Sequence, residues 1–470
     1  MFRSMGARLA TGLILSTMLL GALVSPVAAA SHTRWVDNNT SSRGPAACAN
    51  AHFSTIQAAI DASNPGDKVF VCPGNYQEEI TIDVRNLEVR SVPALGARIW
   101  APATLTDLGG VNAVVHITAR DVLFVGFWIK FNDGIVGPFL HQNITTDCMM
   151  ASAAIWAEAP HATIKANHIN TVGDNTLSGS CGYLFGIVLA DNGPTINGGE
   201  WGPDTSLVWR NWVTDFKEQG ILVAGPRSAR VFNNNIRYVH YNDPATCNFV
   251  PVVGIKPSLE GNPGDEFPCV TPPFAVNTTP LDGLYPGPVG IADEGSLVDF
   301  RANTVLSTLD TATVDNQYSF LFGGIFLTEA ADGSMVRSNI IDNVYAGLAV
   351  SDEPFIFPGV QPKPSAPDGV AVSGNRVSEG FYSVMVDASD GYYYANRAHL
   401  NFLGAIVSPN ATGNTFDRND FRYNVEIDCA DDSTGTGTAG TANDWGDPLT
   451  NLGFNDDPDG ICVPYFQIAI

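Results

Sequence analysis

One short hydrophobic pattern punctuates the chain: an apolar residue, two variable residues, an asparagine, a further variable residue and a second apolar one. The asparagines of eight such elements are Asn167, Asn211, Asn234, Asn303, Asn339, Asn375, Asn396 and Asn414. Subtraction of residue numbers gives spacings of 44, 23, 69, 36, 36, 21 and 18. Two of these lie near a unit of about 22 residues, and 44 and 69 near two and three units, the periodicity of a solenoid. Asparagine suits a buried turn because its amide donates and accepts at once and its short side chain tolerates a bent backbone. Stacked coil on coil, these amides predict a ladder inside a parallel β-helix.

From about Asn112 onward each coil opens on a small residue followed by an apolar, any, apolar strand: Gly186, Ile187, Leu189; Gly220, Ile221, Val223; Gly324, Ile325, Leu327; Gly347, Leu348, Val350. Alternation turns the two apolar side chains inward. The asparagine element supplies the next strand. Phe124 to Ile129 reads as the same element with Gly126 in the asparagine's place. The stretch 241–289 holds ten prolines, too many for central strands, and predicts a loop standing off the coils. A smaller loop is expected around Pro354 to Pro367.

Upstream, Ser54 and Gln57 have capping-box spacing and Ile56 and Ile60 share a helical face, so a short amphipathic helix is expected. Turns at Pro65–Gly66 and Pro73–Gly74 then bracket Val69, Phe70 and Val71, with a strand near Ile80 and Ile82. This order resembles the N-terminal cap of pectin-lyase-like right-handed β-helix proteins, including the G-x-Y-x-E of pectin methylesterases, here Gly74 to Glu78. Near the other end, a Gly-Thr-rich run and Asn443, Asp444, Trp445, Gly446 between Cys429 and Cys462 are similar to the closing cap of exported bacterial β-helix proteins. The resemblance implies an all-β, right-handed parallel β-helix with a capping helix and a disulfide-closed C-terminal cap. The expected organisation is a signal peptide over 1–30, cap and first coils over 31–111, the β-helix over 112–428 and the closing cap over 429–470.

Arg3 and Arg8 precede an uncharged apolar stretch that ends on Ala28, Ala29 and Ala30, the layout of a cleaved secretory signal. Its removal drops two arginines and no acid, taking the formal net charge from −24 to −26. Such a chain repels phosphodiester backbones, so nucleic acid is excluded as a partner. No later segment is long and apolar enough to span a bilayer, and an extracellular monomer is expected. All eight cysteines lie in the mature part as sequence neighbours: Cys48 with Cys72, Cys148 with Cys181, Cys247 with Cys269, Cys429 with Cys462. Coil-to-coil contact and export favour disulfides in that pairing, with metal binding as the rival reading.

Three outward columns follow from the repeat. Two residues before each ladder position stand Lys165, Trp209, Phe232, Arg301, Arg337, Ser373, Tyr394 and Thr412. Aromatic and cationic side chains at about 4.8 Å per coil suit sugar rings stacked on Trp209, Phe232 or Tyr394 and carboxylates paired with Arg301 or Arg337. The plainer reading has loops over the aromatics and solvated cations. A second column holds acids after the first strand: Glu158, Asp191, Glu294, Glu329, Asp352, Asp387 and Asp428. Carboxylates one coil apart could share a proton or hold Ca2+, with Asp191, Glu294, Glu329 and Asp352 as candidate ligands; solvated turn-capping acids give the same pattern. The third is apolar although outward: Trp156, Val188, Leu222, Ala292, Phe326, Ala349, Met385, Ile406 and Glu426, covered by the loop or flooring a groove.

Lys217 and Glu218, near Arg210 and Asp215, could supply the base and charge neutralisation of a polysaccharide lyase; with Glu294 and Glu329 they are the catalytic candidates. The methylesterase motifs Q-D-T, D-F-I-F-G and L-G-R-P-W are missing, as is the polygalacturonase set of N-T-D, G-D-D, G-H-G and R-I-K. Expected, therefore, is a secreted protein that binds, and as a lyase or hydrolase would cleave, an extended and in particular uronate-containing polysaccharide. The alternative is a non-catalytic surface or adhesive rod.

Overall fold

The computed structural model describes residues 31–38, 44–102, 105–106, 111–130, 151–170, 183–190, 206–214, 216, 219–224, 228–240, 289–293, 297–309, 321–328, 331–351, 367–446 and 450–463. Within these residues the strands form three parallel sheets, termed A, B and C, of 12, 10 and 12 strands. The chain visits them in rotation: Leu207–Trp209 in A, Trp212–Thr214 in B, Gln219–Ala224 in C, then Arg230–Phe232 in A again. Each strand pairs with those one coil away, which makes the molecule a parallel β-helix.

Strands in A and B turn their middle residue inward, so Val208, Val231 and Phe300 in A and Ile169, Val213 and Ile236 in B are fully buried. Sheet C contributes the two inward residues of its apolar alternation, Ile187 with Leu189 and Ile325 with Leu327 among them. The small residue before them is required by close approach. A Cβ on Gly186 would lie 2.3 Å from the Gly220 carbonyl oxygen and 2.5 Å from Val213 Cγ1.

The asparagine ladder runs at the corner between sheets A and B. Asn234 is representative: its Oδ1 accepts from the Asn211 backbone N–H at 2.9 Å and from Asn211 Nδ2 at 3.0 Å. Its own Nδ2 donates to the Val208 carbonyl at 2.9 Å and to Asn303 Oδ1 at 3.0 Å. Ala166, Arg210, Asn233, Ala302, Ser338, Ala395 and Arg418, each preceding a ladder residue, are left-handed, with φ between 51° and 55°. That conformation costs a non-glycine residue roughly 1–2 kcal/mol, and hydrogen bonds worth about 0.5–1.5 kcal/mol each offset it.

Two expected positions need correction. Asn396 passes the ladder to Asn419, 23 residues on, and thence to Asn451; Asn414 is not part of it. Asn414 instead serves the corner between sheets C and A, accepting from the Gly391 N–H and bonding Asn443. At the N-terminal end Phe127, not Gly126, occupies the ladder position: its N–H meets Asn167 Oδ1 at 3.0 Å, while Gly126 takes the left-handed place at φ 82°.

Helix α1 (Ile56–Asp61) closes the N-terminal end. Its N-cap is Thr55, whose Oγ1 accepts from the Ala58 N–H at 3.3 Å, rather than Ser54. Gln57 does not reach back to the cap; it pairs with both backbone groups of Thr81. The two helix N–H groups of Ile56 and Gln57 are met by the Glu78 carboxylate, each at 3.0 Å. The G-x-Y-x-E therefore has a structural role here: Gly74 opens a sheet B strand, Tyr76 is buried with its hydroxyl on the Cys72 carbonyl, and Glu78 caps the helix.

At the other end Trp445 is fully buried and stacks on Phe416 at 4.0 Å, which stacks on Tyr393 at 4.7 Å. Cys48–Cys72 and Cys429–Cys462 are bonded. Cys148, Cys181, Cys247 and Cys269, the signal segment 1–30 and nearly all of the proline-rich loop lie outside the described residues. Among the described residues no helix is long and apolar enough to cross a membrane.

Candidate functional site

Lys165, Trp209, Phe232, Arg301, Arg337, Ser373 and Tyr394 stand in strict register as one row on the outer face of sheet A. The row continues to Asp417 rather than Thr412, a consequence of the same shift that removes Asn414 from the ladder. Its members engage one another. Lys165 Nζ sits 3.9 Å over the Trp209 ring, Trp209 stacks on Phe232 at 5.2 Å, and Arg301 lies 5.7 Å over Phe232. Both faces of each central ring are thus occupied, which leaves only ring edges open. This corrects the expectation of sugars stacked on Trp209 and Phe232. Arg337 is held bidentately by Asp299 at 2.9 and 2.6 Å, and the Asp299 hydrogen bonds raise its pKa. Tyr394 accepts from Arg418 at 3.1 Å.

A second row, which the sequence reading missed, lies across the ladder on the outer face of sheet B. Arg98, Trp128, His168 and Trp212 are in register. Arg98 Cζ is 4.7 Å over Trp128, Trp128 stacks on His168 at 4.9 Å, and His168 on Trp212 at 5.0 Å. Burial between the indoles pushes the His168 imidazole below its ordinary pKa. Beside this row Lys130 Nζ lies 5.3 Å over Trp100. The signal was present: Trp128, His168 and Trp212 each directly follow a ladder position, three residues beyond the column that was read. Two aromatic and cationic rows therefore flank the ladder corner.

No protein-family model matches the chain, and no curated protein matches it significantly. Solved structures similar in fold include a pectate lyase, Pel9A, at 12% identity and TM-score 0.45 over 83% of this chain and 79% of that one. A PL6-family polysaccharide lyase from Pseudopedobacter saltans matches at 9% identity and TM-score 0.45 over 87% and 94%. The pectin methylesterase PemA from Erwinia chrysanthemi matches at 14% identity and TM-score 0.41 over 73% and 89%. Likeness at this level concerns chain path and carries no assignment of chemistry.

On sheet C the apolar outward column is a covered surface, not an open groove floor: Val188, Leu222, Ala292, Phe326, Ala349 and Met385 are all buried and form a second apolar cluster. Ile406 pairs onward with Ala430, so Glu426 is not a member. The acidic column divides. Glu158 accepts from Trp156 Nε1 at 3.0 Å and lies 3.2 Å from His116 Nε2. Asp387 is bonded by the Ser408 hydroxyl, and burial, partly opposed by Ser408 and Ser351, raises its pKa. Asp428 accepts from the Asn424 and Phe454 N–H groups at a corner. Both Asp387 and Asp428 are thereby structural.

Lys217, Glu218, Asp191, Glu294, Glu329 and Asp352 lie outside the described residues. Arg210, from the proposed lyase set, is exposed with its guanidinium 4.7 Å over Trp209. Among the described residues no group of three or more histidines, cysteines or carboxylates could hold a metal ion.

Proposed function

We propose that this is an extracellular, monomeric β-helix protein that binds an anionic, uronate-type polysaccharide along the edge between sheets A and B. The observation that carries the reading is the distribution of charge around the rod. A chain of net charge −24 places Arg98, Lys130, Arg237, Arg376 and Arg397 at outward positions of sheet B against two acids, Asp342 and Asp420, the second paired with Arg397 at 3.6 Å. Cations gathered on one face of an acidic molecule steer a polyanion there. The aromatic rows beside them offer apolar edges to sugar C–H groups. The secretory leader expected over 1–30 and the oxidised cysteines at both ends support an extracellular setting.

Cleavage of the bound polymer would draw on Lys217, Glu218, Glu294 and Glu329, and Ca2+, if used, on Asp191, Glu294, Glu329 and Asp352. A second reading, a non-catalytic rod, is favoured by the capture of Asp387 and Asp428 in structural hydrogen bonds. One experiment separates them. The mature protein is tested for binding to immobilised polygalacturonate, alginate, sulfated glycans, xylan and cellulose, and for unsaturated or reducing-end products, with and without chelator. Binding to acidic polymers that weakens steeply with salt is expected. Equal retention by neutral polymers, or none by any, overturns the polyanion reading, and binding without product selects the rod.

A further inference from the structure

The four-membered stack on sheet B has two unlike ends. Arg98 closes the first by lying over Trp128. Trp128, His168 and Trp212 follow with ring planes within 18° of parallel and centroids 4.9 and 5.0 Å apart. Near-parallel rings so close overlap in offset stacks, so their planes stand more across the rod than along it and each inner ring has both faces covered. The next residue in register is Asn235 and the one after it Thr304. Neither is an aromatic or a cation, and among the described residues no ring or cation covers the second face of Trp212. This indole is 46% exposed. Asn235 beside it is exposed, whereas Arg210, two residues before it, holds its guanidinium 4.7 Å over Trp209 on sheet A.

We propose, resting on the polysaccharide-binding reading above, that the open face of Trp212 is a stacking subsite for a single pyranose ring. The C–H face of the sugar lies on the indole and the Asn235 amide meets its hydroxyls. A stacking surface that stands across the rod holds the sugar ring across it too. The polymer therefore crosses the molecule at the level of the Trp212 and Asn235 coils instead of running along the axis. An axial ligand would gain contacts with each added sugar, at about 4.8 Å per coil. A crossing ligand stops gaining once it spans one face.

The test uses the mature protein and its Trp212→Ala, Trp212→Phe and Phe454→Ala variants, checked for unchanged thermal unfolding. They are titrated calorimetrically with whichever polymer of the panel the wild type retains, and with size-fractionated oligomers of it from two to ten sugars. Trp212→Ala is expected to weaken binding about tenfold, the equivalent of about 1.4 kcal/mol. Trp212→Phe should retain most of the affinity, Phe454→Ala, an exposed ring of the C-terminal cap outside both rows, should change it less than about threefold, and affinity should level off by about four sugars. Wild-type affinity in Trp212→Ala, or affinity that climbs through ten sugars, overturns the subsite while the wider reading stands. Failure of the wild type to bind any panel member overturns both.

Discussion

Burial alone does not decide whether a polar group stabilises this molecule; its partners do. Asn303 and Tyr393 are both fully buried. Asn303 Oδ1 accepts from the Asn234 N–H and Nδ2, and its Nδ2 donates to the Val231 carbonyl and Asn339 Oδ1, all at 2.8–3.0 Å. Truncation strands a buried N–H and a buried carbonyl, each costing about 1–3 kcal/mol. Asn303→Ala should lower stability by roughly 2–6 kcal/mol on that count. Among the described residues the Tyr393 hydroxyl has no hydrogen-bond partner, and burial drives its phenol far above the ordinary range. Its ring stacks on Phe416 and needs no oxygen to do so. Tyr393→Phe should therefore be neutral or stabilise by about 1 kcal/mol. Denaturant unfolding midpoints of the two variants, shifting in opposite directions, check the pair; a destabilised Tyr393→Phe would show that the hydroxyl is engaged after all.

At the scale of elements, legibility followed the range of the contact. The ladder from Asn167 to Asn396 and the inward pairs of sheet C could be read because one repeat unit contains the whole signal. Asn414 misled because it, too, stands between apolar residues at the required spacing; only the strand Thr415–Asp417 after it shows that it belongs to the other corner. The helix cap failed differently. Ser54 and Gln57 had the local spacing, but the carboxylate that meets the helix N–H groups comes from Glu78, across a sheet A strand and a sheet B strand. No local pattern contains that distance. The sheet B row was legible and overlooked, since Trp128, His168 and Trp212 follow the same ladder position in three successive coils. Glu78→Ala should then free the helix start without touching the coils. Amide exchange at Ile56 and Gln57 is expected to quicken at least tenfold while protection at Val208 and Val231 holds; equal loss at both sites would make Glu78 a determinant of the whole rod.

Over the whole molecule, an excess of acids makes pH the natural perturbation, and two carboxylates near the C-terminal end respond in opposite senses. Burial alone would raise Asp420. The bidentate Arg422 at 2.7 and 2.9 Å, then His399 at 2.9 Å, overcome it and hold the carboxyl at about 2. A depressed carboxylate contributes stability that is present above its unfolded pKa of about 3.9 and lost as pH falls toward its folded value. Asp387 is raised by burial, so its contribution is present below that unfolded pKa and lost as pH rises through the folded one. Asp420 carries the larger consequence because it continues sheet B from Arg397 toward Leu452, donating its N–H to the Asn396 carbonyl and accepting at its own carbonyl from the Ala398 N–H. Its ion pairs contribute on the order of 2 kcal/mol at neutral pH, and cooperative neighbours extend their loss along the coils. Asp420→Asn should lower the midpoint of thermal unfolding at pH 7 and flatten its fall between pH 5 and pH 2. Asp387→Asn should raise the midpoint at pH 7 and steepen the acid limb, because the wild type regains this contribution as the carboxyl protonates. Parallel limbs for wild type and Asp420→Asn would mean that acid unfolding starts elsewhere, in the carboxylates beyond the described coils.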